Sequence, residues 1–514
     1  MPWLSTLMAV PAVGAVAVAA VPKRNETLAK QLTFAVSLVV LALAAVMAAQ
    51  FNPGGDRLQF TETYSWIPSF GIHFALGVDG VALVLILLSA LLVPIVVLAS
   101  WNEAAGTPEA PAKRSVKTYF ALILVLEAMM IGVFAATDVF LFYVFFEAML
   151  IPMYFMIGSY GGAQRSYAAV KFLLYSLLGG LLMLVAVIGL YVIAGKNTFL
   201  HTELIGAITD PGVQRWLFLG FFIAFAIKAP LVPFHTWLPD SAAQAPAGAA
   251  VLLVGVLDKV GTYGMLRFCL ELFPDASRFF TPLVITLAVI GIIYGAIVAI
   301  GQTDIKRLIA YTSISHFGFI AMGVFAMTTT AGAGATLYMV NHGFATGALF
   351  LVAGFLIQRR GSQFISDYGG VQKVTPVLAG SFLFACLAGT AVPGLATFVS
   401  EFTVLIGTFQ NRTYLVAAVI ATFGVVLSAI YMLWLYQRVA GGPPSEGVKS
   451  LAELNGREKW VMAPLIAVIL ALGVYPKPLF DVINPSVTQT LSIAGVSADP
   501  EPTLNVAVQK GAGQ

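Results

Sequence analysis

The sequence LFLGFFIAFAIKAPLVPF, residues 217–234, decides the fold class of this chain. Its apolar residues would cross a bilayer as a helix, because about 20 such residues span the hydrocarbon core. The segment also holds Lys228 and two prolines, Pro230 and Pro233, which lack a backbone donor and interrupt a helix. A break inside the membrane survives only where protein or water lines it. The segment therefore predicts a discontinuous transmembrane helix that faces the interior of the protein.

Composition extends this prediction to the whole chain. Of the 514 residues, 59% are hydrophobic and only 10% are charged, and the mean hydropathy is +0.91. An average soluble domain carries roughly 25% charged residues. These values predict an all-α integral membrane protein embedded in the lipid bilayer.

Several function classes are excluded by the same composition. The net charge is +3 and the basic residues are scattered among short loops, so no nucleic-acid partner is expected. Cys269 and Cys386 are far apart in apolar segments and form no iron–sulfur, metal or disulfide pattern. Glycine-rich nucleotide-binding motifs are absent from the sequence. The chain is therefore expected to hold neither a cofactor nor a metal of its own.

Apolar runs long enough to span a bilayer recur from end to end, and about 14 transmembrane helices are predicted. They lie near 4–21, 29–50, 79–100, 117–136, 138–158, 170–194, 215–234, 246–270, 281–301, 307–328, 333–357, 376–410, 413–437 and 459–481. Placing both termini on one side puts most loop lysines and arginines on the other side. Because basic loops stay in the cytoplasm, both termini are predicted to face outward.

A second pair of helix breakers, Pro393-Gly394, lies shortly before Glu401. The two breaks fall at the fourth position of consecutive five-helix blocks, a layout typical of inverted repeats. The predicted domains are three N-terminal helices (1–116), a first repeat broken near 228–234 (117–273), a second repeat broken near 393–396 (274–440), and a final helix with a tail (441–514).

Two ionisable residues in predicted spans, Glu147 and Lys228, are candidates for a coupled pair. A charge near the bilayer centre costs at least roughly 2.5 to 3.5 kcal/mol on insertion scales, so such residues usually face the interior and handle ions or protons. Burial opposes the charge on Lys228 and a nearby carboxylate favours it, so a change in their separation would drive proton transfer. The alternative is a static buried ion pair.

Lys259 and Glu401 are candidates for later steps of the same path. Asp258 points about 100° away from Lys259 on a helix and need not neutralise it. Lys259 would then carry a proton at the midpoint, unless it only snorkels or pairs structurally. Glu401 could release a proton to the outside, unless it only caps the half-helix after the break.

Three histidines, His235, His316 and His342, lie on or near spans and could relay protons, with His316 the first choice. Each is equally compatible with a packing role. Their placement on separate segments does not match a metal-ligand spacing. Glu127, inside the fourth span, and Asp138, at the next boundary, are weaker candidates, and Asp138 is compatible with a simple N-cap.

Six motifs carry a resemblance to a known family over nearly the whole chain. They are LGVDG (76–80), FLFYVFFEAMLIPMYFMIG (140–158), KAPLVPFHTWLPD (228–240), DKVGTYGMLR (258–267), DIKRLIAYTSISHFGF (304–319) and NHGFATGALF (341–350). With them the chain resembles the M-type, antiporter-like membrane subunits of proton-pumping NADH–quinone oxidoreductase, respiratory complex I. The resemblance implies outward proton translocation through this chain, coupled to electron transfer in partner subunits.

The resemblance also implies roles for individual residues. Glu147 and Lys228 match the coupled pair, Lys259 the central lysine, and His235 and His316 the relay. Glu401, in FVSEF (398–402), matches the exit carboxylate, and glutamate there points to the M type rather than to the L and N types or the antiporter chains. FMN, iron–sulfur clusters and quinone are then expected in partner subunits, and L-like and N-like subunits are the expected neighbours.

Two segments depart from the family pattern. LPDSAAQAP (238–246) lacks the usual histidine and acidic residue, so proton entry there would use water or other groups. VPGLATFVSEF (392–402) replaces the commoner LPGT-type loop before the exit carboxylate. The rival interpretations are a multisubunit cation–proton antiporter, a membrane-bound hydrogenase complex with the same proton machinery, and a scaffold that only fills the membrane arm.

Overall fold

The structure, a computed structural model, describes residues 2–106, 110–496 and 499. Within these residues, 11 helical segments are long and apolar enough to cross a membrane, and a bent pair at the C-terminal end would raise the number to 12. The prediction of a helical membrane protein is confirmed.

The helices of the first half are α1 (Trp3–Ala20), α2 (Glu26–Gln50), α3 (Gly80–Ala99), α4 (Val116–Ala135), α5 (Val139–Ala148), α6 (Leu150–Tyr160), α7 (Arg165–Ala194), α8 (His201–Leu204), α9 (Pro211–Lys228), α10 (Trp237–Gln244), α11 (Ala247–Leu252) and α12 (Lys259–Gly264). Those of the second half are α13 (Pro274–Ile300), α14 (Ile305–Phe325), α15 (Thr329–Arg360), α16 (Val371–Val374), α17 (Pro376–Ala388), α18 (Ala396–Gln410), α19 (Leu415–Ala440), α20 (Gly456–Val474) and α21 (Lys477–Ile493).

Two spans are discontinuous at the predicted places. The first stops at Lys228 and resumes with α10 at Trp237, and the second stops at Ala388 and resumes with α18 at Ala396. Gly394 in the second break has φ +92°, a conformation that residues with a side chain rarely adopt. Proline and glycine therefore end these helices as the sequence indicates.

The centre of the protein is the segment from Ala247 to Leu270, which is buried throughout its span. Its helix is not regular: π-helical turns at Leu253–Leu257 and Met265–Leu270 flank the short α12, whose first residue is Lys259. Such π-turns are rare and often occur at functional sites. They set the direction in which Lys259 points.

One expectation about helix boundaries needs correction. The predicted span 459–481 is wrong at its end, because α20 stops at Val474 and α21 follows at an angle of 69°. Pro476 and Pro478 bring about this bend, since neither can donate a backbone hydrogen bond. The predicted span 138–158 is confirmed as the single segment Val139–Tyr160. Within it, α5 and α6 meet at Met149, where Pro152 withholds the hydrogen bond to the carbonyl one turn earlier.

A β-hairpin lies between α2 and α3 and was not predicted from the sequence. Its antiparallel strands are β1 (Gln59–Ile67) and β2 (Ile72–Val78), paired from Gln59 with Val78 to Ile67 with Ile72. α21 packs against the adjacent start of α3: the Ser486 hydroxyl accepts from the Gly80 amide at 2.8 Å. The hairpin and α21 thus lie at the same end of the protein.

Candidate functional site

Lys228 ends the first half of a broken helix, and its side chain is buried. Its Nζ atom lies 4.6 Å from the centre of the Phe146 ring, a cation–π contact. Among the described residues, this Nζ atom has no hydrogen-bond partner. Trp237 of α10 donates from Nε1 to the Ile227 carbonyl at 2.9 Å. The two half-helices are therefore tied together beside a lysine that has unused donors.

Glu147 lies on α5 with its carboxylate against α7. A Cβ atom added to Gly180 would lie 1.6 Å from Glu147 Oε1, so the carboxylate occupies the space that this glycine leaves. Within the described part of the chain, Oε1 has no hydrogen-bond partner. Glu147 and Lys228 interact electrostatically, yet these two described residues form no ion pair within 4.0 Å. The pair predicted from the sequence is thus close but not joined.

Lys259 makes the most specific contacts of the four predicted charged residues. Its Nζ atom lies 2.7 Å from His342 Nδ1, donates to the Val254 carbonyl, and lies 5.0 Å from the centre of the Phe317 ring. The neighbouring Asp258 is also fully buried, and neither carboxylate oxygen has a hydrogen-bond partner among the described residues. Asp258 interacts electrostatically with both Lys228 and Lys259, so its carboxylate couples the two lysines.

Aromatic and imidazole groups continue from Lys259 toward the second broken helix. The ring centres of His342 and His316 are 5.3 Å apart, and His316 Nε2 lies 3.4 Å from the Tyr431 hydroxyl. The His316 ring is also 5.8 Å from the ring of Tyr338. Neither tyrosine was predicted as a site residue. Tyr338 could have been found, since it lies one turn before His342 on the same face of α15.

Glu401 ends this series of groups. Its Oε2 atom accepts a hydrogen bond from the Tyr338 hydroxyl at 3.3 Å, and its Oε1 atom has no partner among the described residues. Asn341 supports the site by donating to the Ala396 carbonyl at 2.6 Å, which fixes the first residue of α18. Glu401 lies within α18 and does not cap it, so the capping alternative is wrong.

Three further candidates lie apart from these groups. His235 contacts Tyr294, with 3.3 Å between Nε2 and the hydroxyl. Glu127 is buried in α4, and neither of its oxygens has a hydrogen-bond partner among the described residues. Asp138 accepts from the Phe140 and Leu141 amides at 2.9 Å each, so it is the N-cap of α5. The structure therefore brings His316 and His342 to Lys259 and leaves His235 elsewhere.

A second group of buried charges was not predicted, and we call it the hairpin-side cluster: Arg57, Asp79, His201, Arg267 and Glu271. Arg267 pairs with Asp79 at 2.8 Å, and Glu271 pairs with Arg57. Glu271 also accepts from the Thr490 hydroxyl of α21 at 2.6 Å. The cluster joins α3, α8, α21, the loop before β1 and the π-turn that ends the central segment.

Burial governs proton binding in this cluster. It lowers the pKa of His201 to about 4, and the charges of Arg267 and Arg57 act in the same direction. Burial alone would raise the pKa of Glu271, but the charges of Arg267 and Arg57, together with the hydrogen bond from Arg57, outweigh it and hold that pKa below its usual value. The cluster therefore contains a neutral histidine and an ionised carboxylate near neutral pH.

Comparison with known proteins assigns a family to this arrangement. The family model described as "NADH:quinone oxidoreductase/Mrp antiporter, TM" matches residues 136–428. Among curated proteins, NADH-quinone oxidoreductase subunit M of Mycobacterium tuberculosis (strain CDC 1551 / Oshkosh) is 54% identical over 98% of this chain and 96% of its own length. NADH-quinone oxidoreductase subunit M of Rhodobacter capsulatus is 43% identical over 89% of this chain and 90% of its own length.

A solved structure gives the same result for the fold. A chain of respiratory complex I from Thermus thermophilus with bound NADH superposes with a TM-score of 0.87 at 31% identity, covering 96% of this chain and 100% of that chain. The residues matched by the family model, 136–428, include both broken helices, the central segment and the groups from Glu147 to Glu401.

Proposed function

The chain belongs to the subunit M family of NADH–quinone oxidoreductase, whose members are proton-translocating membrane subunits of that enzyme, and we propose that its protons pass from Lys228 through Lys259 to Glu401. Glu147 controls the first step. Between Lys259 and Glu401 the route passes four buried side chains, those of His342, His316, Tyr338 and Tyr431.

One observation carries this proposal: the buried groups between Lys259 and Glu401 form a series of contacts. Lys259 to His342 is 2.7 Å, His316 to Tyr431 is 3.4 Å, and Tyr338 to Glu401 is 3.3 Å. Lysine, histidine and carboxylate groups can each hold and release a proton, and a hydroxyl can pass one on. Two wider gaps separate these described groups: the ring centres of His342 and His316 are 5.3 Å apart, and those of His316 and Tyr338 are 5.8 Å apart. A ring rotation or one water would close each gap.

The first step depends on Glu147. Because its carboxylate interacts with Lys228 without a direct ion pair, a small approach would favour the charged lysine and a small retreat would favour release of its proton. At an effective dielectric of 20, unit charges about 4 Å apart interact by roughly 4 kcal/mol, which is enough to change proton occupancy by several powers of ten. The Asp258 carboxylate interacts electrostatically with both lysines and favours proton transfer from Lys228 toward Lys259.

The repeat architecture is also part of the proposal. The halves of the two broken helices are not among the 11 spans counted by length and apolarity in the described residues. Counting each broken helix as one span would add two, and counting α20 would add another. The total is then the 14 expected from the sequence. With that count, the two breaks would take the fourth place of the five-helix blocks 117–273 and 274–440, a layout that supports inverted repeats.

Orientation and partners complete the proposal. Both termini face outward, because the loops on the opposite side carry most of the lysines and arginines. L-like and N-like membrane subunits lie beside the chain in a bacterial cell membrane, and FMN, iron–sulfur clusters and quinone belong to partner subunits. This chain supplies proton translocation only.

The decisive experiment is the substitution Lys228→Ala in the assembled complex. NADH-driven proton pumping and NADH–quinone electron transfer are measured in membranes, and assembly is checked on a native gel. Pumping should fall by about tenfold or more, since a tenfold change needs only about 1.4 kcal/mol in the energy of the proton. Lys117→Ala is the control, because the Nζ atom of Lys117 donates to the carbonyls of Ala19 and Val21 at 2.7 Å each and lies outside the route. Normal pumping in assembled Lys228→Ala complexes would refute the route.

A further inference from the structure

A cavity of about 380 Å³ lies where three helices end, at the start of α4, the end of α6 and the start of α7. It is lined by nine residues, among them Lys113, Arg114, Phe155, Ser159, Ser166 and Val170, and we call it the α6–α7 pocket. None of these lining residues is acidic, and none belongs to the proton route. The pocket therefore has a separate role.

Two cations at the pocket are only weakly engaged. Lys113 donates from Nζ to the Ser166 hydroxyl at 3.2 Å, and the Arg114 guanidinium lies 4.3 Å from the centre of the Phe155 ring. In the described part of the chain neither cation has an acidic partner. By contrast, Arg165 nearby donates to the Pro111 carbonyl at 2.9 Å. Lys113 and Arg114 thus keep donors available for an anion.

Residues 110–115, which carry these cations, are held in place by hydrogen bonds. The Lys113 amide donates to the Ser159 carbonyl at 2.8 Å, and the Tyr160 hydroxyl donates to the Ser115 carbonyl at 2.8 Å. Both contacts join the loop to the end of α6. Because the loop is already ordered, little conformational entropy is lost when an anion binds.

An apolar surface continues from the pocket along α7. Val170, Leu174, Leu178 and Leu181 are spaced as on one helix face, and their side chains are 44%, 59%, 59% and 50% exposed. Eleven residues of helix rise by about 16 Å, close to the depth of one leaflet of a hydrocarbon core roughly 30 Å thick. The surface has the length of a lipid acyl chain.

We propose that the α6–α7 pocket binds the phosphate of an anionic phospholipid. Lys113 and Arg114 contact the phosphate oxygens, Ser166 donates to them, and the acyl chain lies along α7. An exposed basic pair at the end of transmembrane helices matches this chemistry, because each Lys or Arg near an anionic surface contributes about 1 kcal/mol. A free phosphate ion would use the same cations but not the apolar face, which is why the lipid is the inferred ligand.

The test uses the whole complex in nanodiscs of phosphatidylcholine with a rising fraction of phosphatidylglycerol that carries a photoreactive group in its acyl chain. Crosslinks are mapped to peptides of α6 and α7 by mass spectrometry. The double substitution Lys113→Gln and Arg114→Gln should shift the phosphatidylglycerol dependence about thirtyfold, since each lost contact is worth about fivefold. Lys23→Gln with Arg24→Gln, on the exposed loop between α1 and α2, removes the same charge and should change nothing.

Each other outcome overturns the proposal. Equal crosslinking in the two double variants, or equal labelling of wild type by a phosphatidylcholine analogue, would mean an unspecific lipid contact. Displacement of the probe by inorganic phosphate alone would mean a phosphate site. A lack of any label on α7 would mean that a neighbouring subunit covers the face. If the double Gln variant fails to assemble, the exchange variant Lys113→Arg with Arg114→Lys is measured in its place. It keeps both charges and should bind the lipid as the wild type does.

Discussion

At the scale of single residues, Gly180 provides the space in which the Glu147 carboxylate lies. Gly180→Ala would place a methyl group 1.6 Å from Oε1, so the carboxylate must move. In general, moving one unit charge from about 5 to about 8 Å from another changes their interaction by about 1 kcal/mol at an effective dielectric of 20. We expect proton pumping to fall roughly fivefold to tenfold, measured as the NADH-driven pH gradient.

The matched control for this variant is Gly380→Ala in α17. A Cβ atom there would meet nothing within 4 Å, and alanine generally favours a helix over glycine by about 1 kcal/mol. Gly380→Ala should therefore assemble and pump normally. Normal pumping by Gly180→Ala would show that the position of Glu147 does not matter.

The Tyr338 hydroxyl offers a second residue-scale prediction. Tyr338→Phe removes the hydrogen bond to Glu401 but keeps the ring, so the fold should persist while the last proton transfer slows. We expect at least about a tenfold loss of pumping, in the range that a single proton-transfer group contributes. Tyr294→Phe is the control, because Tyr294 contacts His235 outside the series. Equal losses in the two variants would exclude a specific role for Tyr338.

The charged members of the route were predictable from sequence, and their connections were not. Glu147, Lys228, Lys259 and Glu401 stand out because charge in an apolar span is costly. Tyr338 and Tyr431 do not stand out, since a tyrosine in an apolar helix has the composition of ordinary packing. His235 matched a motif but contacts Tyr294, because the chain after the first break carries it away from Lys259.

At the scale of elements, the hairpin-side cluster predicts a dependence of stability on pH. The folded pKa of His201 is about 4 against an ordinary value of 6.5, so the unfolded chain binds a proton that the folded one refuses. The contribution of neutral, buried His201 to the free energy of unfolding is complete above pH 6.5 and is lost as the pH falls from 6.5 toward 4. We expect α21 to lose up to about 3 kcal/mol of protection across this range, measured by hydrogen exchange of its amides.

His201→Gln isolates this contribution. Glutamine can still bond to the Arg267 carbonyl, which His201 Nε2 meets at 2.9 Å, but it does not titrate. The exchange of α21 amides should then vary less between pH 6.5 and 4, whereas His73→Gln on β2 should leave the wild-type dependence intact. An unchanged pH dependence in His201→Gln would assign the effect to other groups.

The hairpin, α21 and the π-turns were not predicted from the sequence. β1 carries alternating apolar residues, Phe60, Tyr64 and Trp66, but it buries a single residue, Glu62, so its sequence pattern does not follow its burial. Most of β2 is buried. α21 has an apolar face, and its first residue, Lys477, lies between Pro476 and Pro478. Hydropathy alone merged the start of α21 with α20. The π-turns beside Lys259 depend on packing around the central segment, which no local pattern records.

At the scale of the whole molecule, the proposed orientation predicts accessibility from each side of the membrane. Thr202→Cys, after α7, should react with an impermeant maleimide from outside, and Ser366→Cys, between α15 and α16, only from the cytoplasm. Both positions are exposed, whereas the native Cys269 and Cys386 are buried and should contribute little background. The reverse pattern in intact cells would mean that the termini face inward.

The π-turns on either side of α12 have a geometric consequence for the molecule as a machine. Each residue advances an α-helix by about 100°, so a π-turn shifts the rotational phase of everything beyond it. Deleting one residue from Leu253–Leu257 would restore a smoother helix and turn Lys259 away from His342, with every titratable side chain still present. The contact between Lys259 and His342, which joins the two halves of the molecule, thus depends on how far the central helix is rotated about its axis. Insertion or deletion of a residue in Leu253–Leu257 should therefore reduce proton pumping far more than substitution of its apolar residues.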